Sequence, residues 1–506
     1  MPAAAQTIPE LFGRAVAARP DALWLQYEDE RYSYAHAERE IAAIAAALAE
    51  RGIGRGDLLL ATARNEPGYL FAWLAAMRLG AIYLSADPRA ADAELAGLVE
   101  QARPKLAISD GQLLDTVAAV EATGATVAVG ELRAGDPDDA PPPAARPDDP
   151  AVLIPTSGTT GRSKLVTQTQ RAYTMAGEGF PAWIGLGPDD RLMTSLPLFH
   201  INAPAYSVLG SVAAGGGLVL LERFSASGFL DAARRHGATQ FNAIGAMLEI
   251  LMARPERPDD ADTPLRVCYT GPSPTEARQL EIEQRFGIEV ICGYAMSESP
   301  YGFVWPRGER PYGTLGKPRQ HPLLGEVNEA RVLDEDGAEV AVGQTGELQL
   351  RNPATMLGYW GMPEETERVL APDGWLRTGD LVRRDPGGTV TFVSRIKEVI
   401  RRRGENLAPA EVEAALGEHP DVAEVAVIGV PSALTEEEVK AFVVARPGTR
   451  PDLGDLRDFA ALRLSRFKVP RYLELVDELP HTPTGRVAKH RLPAELTGDE
   501  WDADAQ

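Results

Sequence analysis

The stretch Ala151-Val152-Leu153-Ile154-Pro155-Thr156-Ser157-Gly158-Thr159-Thr160-Gly161-Arg162-Ser163-Lys164 decides how the chain is read. Its first four residues have the character of a short buried strand, which Pro155 closes. Hydroxyls, glycines and two cations follow. Glycines let the backbone turn sharply and approach a ligand closely. Successive backbone N–H groups in such a turn form a concavity for anions, and Ser/Thr hydroxyls add donors. Lys164 supplies a movable point charge suited to phosphate. The bland alternative is an ordinary polar turn, and the spacing is not that of a Walker loop. Taken alone, the loop suggests phosphate binding and no more.

Around it lie 506 residues, too many for one hydrophobic core, so two or more domains are expected. The formal charge of −22 argues against nucleic acid or an anionic membrane as the main partner, since both demand a basic face. Cys268 and Cys292 are the only cysteines, each in an apolar run, which points away from a disulfide framework. Residues Met1-Pro2-Ala3-Ala4-Ala5-Gln6 show no basic segment followed by an apolar one, and no apolar run reaches membrane-spanning length. A reducing cytoplasm is the expected setting.

Residues 8–110 alternate helical and strand-like patterns, which favours a parallel sheet flanked by helices. Helices are expected at Ala35 to Arg51 and Glu66 to Leu79, the latter closed by Gly80. Strands are expected at Leu58 to Thr62 and Ala81 to Leu84. Gly135 to Pro150 is rich in proline and aspartate and reads as a surface loop. A second α/β stretch covers about 186–315, with strands at 191–196, 217–221 and 265–269. From Gly325 to Val393 the runs are short and the turns glycine-rich, as in a small β-barrel. A charged hairpin, Lys397 to Glu405, then introduces a compact α+β region with a helix at Pro409 to Leu416. The acidic tail after Thr497 is expected to fray.

Further clusters follow in order: Leu196-Pro197-Leu198-Phe199-His200, Thr270-Gly271-Pro272-Ser273-Pro274 and Gly293-Tyr294-Ala295-Met296-Ser297-Glu298. Then come Trp375-Leu376-Arg377-Thr378-Gly379-Asp380, Arg395-Ile396-Lys397-Glu398, Gly404-Glu405-Asn406 and Pro483-Thr484-Gly485-Arg486-Val487-Ala488-Lys489. Each alone has a structural explanation: a core pair, a turn carboxylate, a surface ion pair. Together, from about residue 8 to 493, they closely resemble the adenylate-forming superfamily of acyl-CoA ligases, peptide-synthetase adenylation domains and luciferases.

That resemblance implies an α/β fold: a large N-terminal domain of two α/β subdomains plus a small β-barrel (1–394), a hinge (395–397) and a small mobile α+β C-terminal domain (398–506). The active site is expected between the domains. Such enzymes join a carboxylate to ATP, giving acyl-AMP and pyrophosphate, and a thiol then displaces AMP. Carried over by residue, Thr156, Ser157, Gly158, Thr159, Thr160, Gly161 and Lys164 hold the β- and γ-phosphates. Gly271, Pro272, Ser273 and Tyr294 frame adenine. Ser297 touches the α-phosphate, Glu298 ligates Mg²⁺, Asp380 takes the ribose hydroxyls and Arg395 ribose or phosphate. Lys397 is the hinge. Carboxylates suit Mg²⁺ and ribose, and cations suit phosphate.

The acyl lining implied is Phe199, His200, Ala243, Ile244, Met247, Gly293, Met296 and Tyr301, mostly apolar, so an apolar carboxylic acid is expected. His200 also stands among the catalytic candidates. No aspartate lies between Ile201 and Glu222, where amino-acid activators usually carry one, which argues against an amino-acid substrate. The run Arg401-Arg402-Arg403 beside Gly404 and Glu405 has two readings: a site for the CoA phosphates, or a solvated hairpin face.

One departure matters most. The superfamily pattern P-x-T-x-x-G-K ends on a lysine that bridges the carboxylate and the α-phosphate, and here Arg486 stands there. Arginine keeps the charge but is a bulkier planar fork. Losing one well-placed transition-state contact costs on the order of 10²–10³ in rate. Lys489, three residues on, is a possible rescuer. Smaller departures are Ala295 for glycine and Ser297 for threonine. The expectation is an acyl-CoA ligase weak or inactive in adenylation but competent to convert acyl-AMP and CoA to thioester, working beside a separate adenylating homologue. The alternatives are a complete ATP-dependent ligase, a non-catalytic adenylate binder, and a ligase with a carrier-protein or amine acceptor.

Overall fold

The computed structural model describes residues 4–90, 92–110, 125–156, 163–271, 273–402, 405–432, 437–482, 487–498 and 500–504. Packing divides the chain into two compact units. One is Met1–Ala330 with Leu350–Arg377, and the other is Arg331–Gln349 with Thr378–Gln506.

The first unit contains two large sheets. In the seven-stranded sheet, Ile82–Ser85, Leu58–Thr62 and Leu106–Ser109 run parallel, and helices Pro67–Leu79 and Asp92–Ala102 cross between them. Leu58–Thr62 is buried at every position, as expected of a parallel strand covered on both faces. Local chemistry sets the helix ends. Ser33 Oγ accepts the His36 N–H to start helix Tyr34–Glu50. Gly80, at φ +68°, ends the next helix in the left-handed conformation that glycine adopts without strain. The expected elements in this region therefore appear within about two residues of their positions.

The nine-stranded sheet runs in the order Lys317–Pro318, Ser299–Val304, Glu289–Met296, Val267–Thr270, Gln240–Asn242, Arg191–Thr194, Gly217–Leu220, Leu23–Tyr27 and Glu30–Ser33. Cys268 and Cys292 are buried and free on neighbouring strands, and burial pushes both thiols up. Between Gly135 and Pro150 the chain is loop apart from one helical turn at Pro137–Asp139.

Residues 325–393 do not close a barrel among the described residues. Glu329–Leu333, Thr345–Arg351, Leu376–Arg384 and Val390–Arg395 form a four-stranded sheet, while Gly358–Tyr359 leaves it to extend the seven-stranded one. The second unit continues with the hairpin Ile400–Arg402/Glu405–Leu407 and the helix Pro409–Gly417. It ends in a four-stranded sheet whose last member is Trp501–Asp502. Described residues 500–504 of the tail, expected to fray, are therefore tied to the sheet. Arg471 pairs with Asp502, and the fully buried Lys440 pairs with Glu474 at 2.8 Å and Glu500 at 2.5 Å. Among the described residues no helix is long and apolar enough to cross a membrane.

Candidate active site

The site is built around the hairpin that carries the hydroxyl–glycine loop. Strands Pro150–Thr156 and Lys164–Thr169 pair antiparallel with Thr156 opposite Lys164. Thr156 Oγ1 donates to the Lys164 carbonyl at 3.2 Å. Ser157, Gly158, Thr159, Thr160 and Gly161 lie outside the described residues. On its other edge the second strand pairs with Gly358–Tyr359, Tyr359 opposite Val166. This register sets Lys164 Nζ 4.8 Å from the centre of the Tyr359 ring. Lys164 Nζ also lies 2.6 Å from Glu365 Oε2, on the short helix Pro363–Val369. Lys164 foremost, with Arg368 adding to it, holds the Glu365 carboxyl below the usual carboxylate range.

Tyr359 Oη donates to Glu298 Oε1 at 2.9 Å. Glu298 occupies the turn between strands Glu289–Met296 and Ser299–Val304. That turn is anchored on both sides. Gln168 Nε2 donates to the Ser297 carbonyl at 2.6 Å, and the Met356 N–H to the Glu298 carbonyl at 2.8 Å. Burial first, then Glu298, pushes the Tyr359 phenol up, so it stays a donor at neutral pH. No cluster of three or more acidic, histidine or cysteine ligands occurs among the described residues. A single oriented carboxylate fits Mg²⁺ brought in on nucleotide, because that ion takes one or two carboxylates and completes its shell with phosphate oxygens and water.

The neighbouring glycines serve close approach. A Cβ on Gly271 would stand 2.4 Å from the Gly293 carbonyl oxygen, and one on Gly302 2.2 Å from that of Tyr294. Ser273 Oγ accepts from the Gly313 N–H at 3.3 Å, and Pro272 lies outside the described residues. Tyr294 Oη sits 4.0 Å from Met296 Sδ. Among the acyl candidates, Phe199, Ala243, Met247 and Tyr301 are buried, while His200, Ile244 and Met296 are partly exposed. The Phe199 and His200 rings lie 4.5 Å apart.

One charge was missed. A Cβ on Gly293 would meet Tyr269 Oη at 2.5 Å and Arg319 Nη2 at 2.8 Å, and Arg319 is fully buried. In sequence Arg319 is one basic residue in a Gly-Lys-Pro-Arg turn, with nothing local to mark it as interior.

The remaining candidates belong to the second unit. Asp380 and Arg395 face each other across paired strands, Arg395 Nε 3.0 Å from Asp380 Oδ1. Lys397 lies on a single helical turn at Ile396–Glu398. Arg402, expected to meet CoA, is instead buried. It pairs with Glu438 at 2.5 Å and donates to the carbonyls of Phe467 and Val469. Residues two apart on a strand share a face, so Arg402 turns inward with the buried Ile400 while Arg401 faces out. Arg403, Gly404 and Arg486, and the side chain of Glu405, lie outside the described residues. Lys489 Nζ is 2.6 Å from Glu413 and 3.6 Å from Glu398.

The AMP-binding enzyme profile matches residues 12–360, and that of the AMP-binding enzyme C-terminal domain matches residues 411–486. The chain belongs to the AMP-binding enzyme family. Sulfoacetate–CoA ligase from Cupriavidus necator is 38% identical over 70% of this chain and 68% of its own length. Crotonobetaine/carnitine–CoA ligase from Salmonella agona is 30% identical over 91% of this chain and 93% of its own. ATP-bound MatB from Rhodopseudomonas palustris matches with a TM-score of 0.87 and 28% identity, covering 95% of this chain and 97% of that one. The fold is accordingly that of the adenylate-forming acyl-CoA ligases, with a large N-terminal α/β domain and a small C-terminal domain.

Proposed function

We propose that the protein is a complete ATP-dependent acid–CoA ligase. A carboxylate oxygen attacks the α-phosphorus of ATP, the bond to the β-phosphate oxygen breaks, and pyrophosphate leaves with acyl-AMP remaining. The CoA sulfur then attacks the acyl carbon, AMP leaves, and the thiol proton passes to solvent. The observation that carries this reading is the chain Lys164–Tyr359–Glu298, which joins a phosphate-type cation to a single oriented carboxylate. The CoA-ligase relatives, matched over most of their length, support it.

In this scheme Lys164 and the loop from Thr156 to Gly161 take the β- and γ-phosphates, and incoming phosphate displaces Glu365. Glu298 would hold Mg²⁺ together with phosphate oxygens, and the ion would supply charge neutralisation for the leaving pyrophosphate. Tyr294 and the Gly271–Ser273 turn receive adenine, Ser297 donates to the α-phosphate, and Asp380 and Arg395 bind ribose. Residues 395–397 act as the hinge between half-reactions, with Lys397 as the hinge residue.

A second reading, thioester formation from supplied acyl-AMP only, is favoured by Arg486 in the lysine slot and by Lys489, which is engaged by Glu413 and Glu398. Two reactions separate the two: acid, ATP, Mg²⁺ and CoA in one, the matching acyl-AMP and CoA in the other, with acyl-CoA detected by mass. Product in both is expected. Product from the adenylate alone would establish the second reading, and product in neither would overturn both. Arg486→Lys should raise pyrophosphate release by up to about 10²–10³-fold, the scale of restoring one transition-state contact. An unchanged rate on an acid that turns over would show that Arg486 does not serve the first step.

A further inference from the structure

We propose that Arg319 and Tyr301 recognise an anionic group at the far end of the acid, so that the substrate is a short acid bearing a second negative charge. This rests on the ligase reading and names its substrate class, in place of the apolar acid expected from the lining.

Among the described residues every partner of Arg319 is neutral. Nε donates to the Phe303 carbonyl at 2.9 Å, and Nη1 to Tyr206 Oη at 2.8 Å and the Pro300 carbonyl at 3.1 Å. Nη2 donates to Tyr269 Oη. The guanidinium lies 4.6 Å from the Trp183 ring centre, 5.0 Å from Tyr206 and 5.6 Å from Tyr269. Among the described residues no carboxylate pairs with it. Ring faces offset part of the cost of burying a cation, but buried arginines are ordinarily paired. A guanidinium has five N–H donors, and these contacts use four. The fifth is on Nη2, the nitrogen against which Gly293 presents bare backbone.

Tyr301 supplies the second, independent observation. It is fully buried, and among the described residues its Oη has no hydrogen-bond partner. Burial pushes that phenol up, so it remains a donor without an acceptor. Its ring packs edge-on against the Trp183 ring at 5.1 Å, the same indole that Arg319 stacks on. A purely structural arginine would account for the four N–H bonds but leaves the Tyr301 hydroxyl unexplained. On this proposal one carboxylate or sulfonate meets both, since the arginine fork matches planar oxyanions. An apolar chain end satisfies neither, and sites built around hydrogen-bonding groups reject analogues that lack them.

The test uses the full-length protein with Mg²⁺, ATP and CoA, offering malonate, succinate and sulfoacetate against butyrate, pentanoate and benzoate. Calorimetric titration of succinate and pentanoate reads binding without turnover. Dianions should give at least about tenfold higher kcat/KM and tighter binding. Tyr301→Phe should cut the dianion-to-monoanion ratio about tenfold without lowering the melting temperature, because that hydroxyl has no partner to lose. Arg319→Lys, which keeps charge but not the fork, should fall between. Turnover with monoanions preferred, or a ratio unmoved by Tyr301→Phe, would overturn the proposal and leave the ligase reading standing. Selective succinate binding without pyrophosphate release would do the reverse.

Discussion

Replacing Tyr359 by phenylalanine removes one oxygen atom and leaves the ring under Lys164. What is lost is the 2.9 Å hydrogen bond to Glu298 Oε1. A hydrogen bond to a charged group contributes about 1.5–3 kcal/mol net when its partner cannot turn to water. Glu298 is only half-buried, so water partly replaces the phenol and the lower end applies. That is about 1.5 kcal/mol, or slightly more than tenfold in rate. The loss should appear as weaker use of Mg²⁺, because the freed carboxylate samples orientations that do not meet the ion. The assay is pyrophosphate release with an acid that turns over, titrated with Mg²⁺, for the wild type, Tyr359→Phe, Glu298→Gln and the double variant. If Tyr359 acts through Glu298, its replacement adds little once Glu298 is gone, and the cycle shows a coupling of about the size of the single effect. A tenfold loss that persists undiminished in the Glu298→Gln background would refute the reasoning, as would no loss at all.

Glu365→Gln removes the carboxylate that holds Lys164 at 2.6 Å and should tighten ATP binding by a few-fold, the scale of an exposed ion pair, read by calorimetry. Weaker binding would show instead that Glu365 positions Lys164. Burial works against the Glu500 carboxylate, but Lys440 and the backbone N–H groups of Thr497 and Gly498 outweigh it and hold its pKa down to about 2. A depressed carboxyl pKa stabilises the fold fully above the ordinary value near 4.5, and that contribution disappears as pH falls towards 2. Thermal melts should therefore show Glu500→Gln less stable than the wild type at neutral pH, the gap closing between pH 4.5 and about 2. A gap independent of pH across that window would assign the effect to packing alone.

The hairpin proposed to carry the phosphates was legible because its signals are local. A strand, a run of glycines and hydroxyls and a lysine occupy consecutive positions, and the hairpin follows from them. Helix ends were legible for the same reason: Ser33 and Gly80 act within one turn of their own positions. Reading failed where a residue's fate is set by partners far along the chain. The Lys164–Glu365 pair spans 201 residues. The acidic tail looked soluble and loose, yet Glu500 and Asp502 answer Lys440 and Arg471 on neighbouring strands. Arg402 looked like part of a basic surface because a charge run does not reveal the alternation of a strand.

Arg319 marks the boundary of that method most clearly. Residue types along the acyl-lining segments are mostly apolar, and an apolar acid follows if each segment is read by itself. The charge enters from a fifth place, the strand Lys317–Pro318 at the edge of the nine-stranded sheet, which pairs with Ser299–Val304 and so carries Arg319 among Trp183, Tyr206, Tyr269 and Tyr301. None of those four aromatics neighbours Arg319 in sequence, and each alone is an unremarkable core residue. The proposed phosphate loop is one contiguous stretch, whereas the candidate acyl lining is gathered from several strands and helices. Under the proposal that Arg319 and Tyr301 meet the acid, acyl preference is a property of strand pairing, and Tyr301→Phe, which changes no backbone contact and no charge, isolates it.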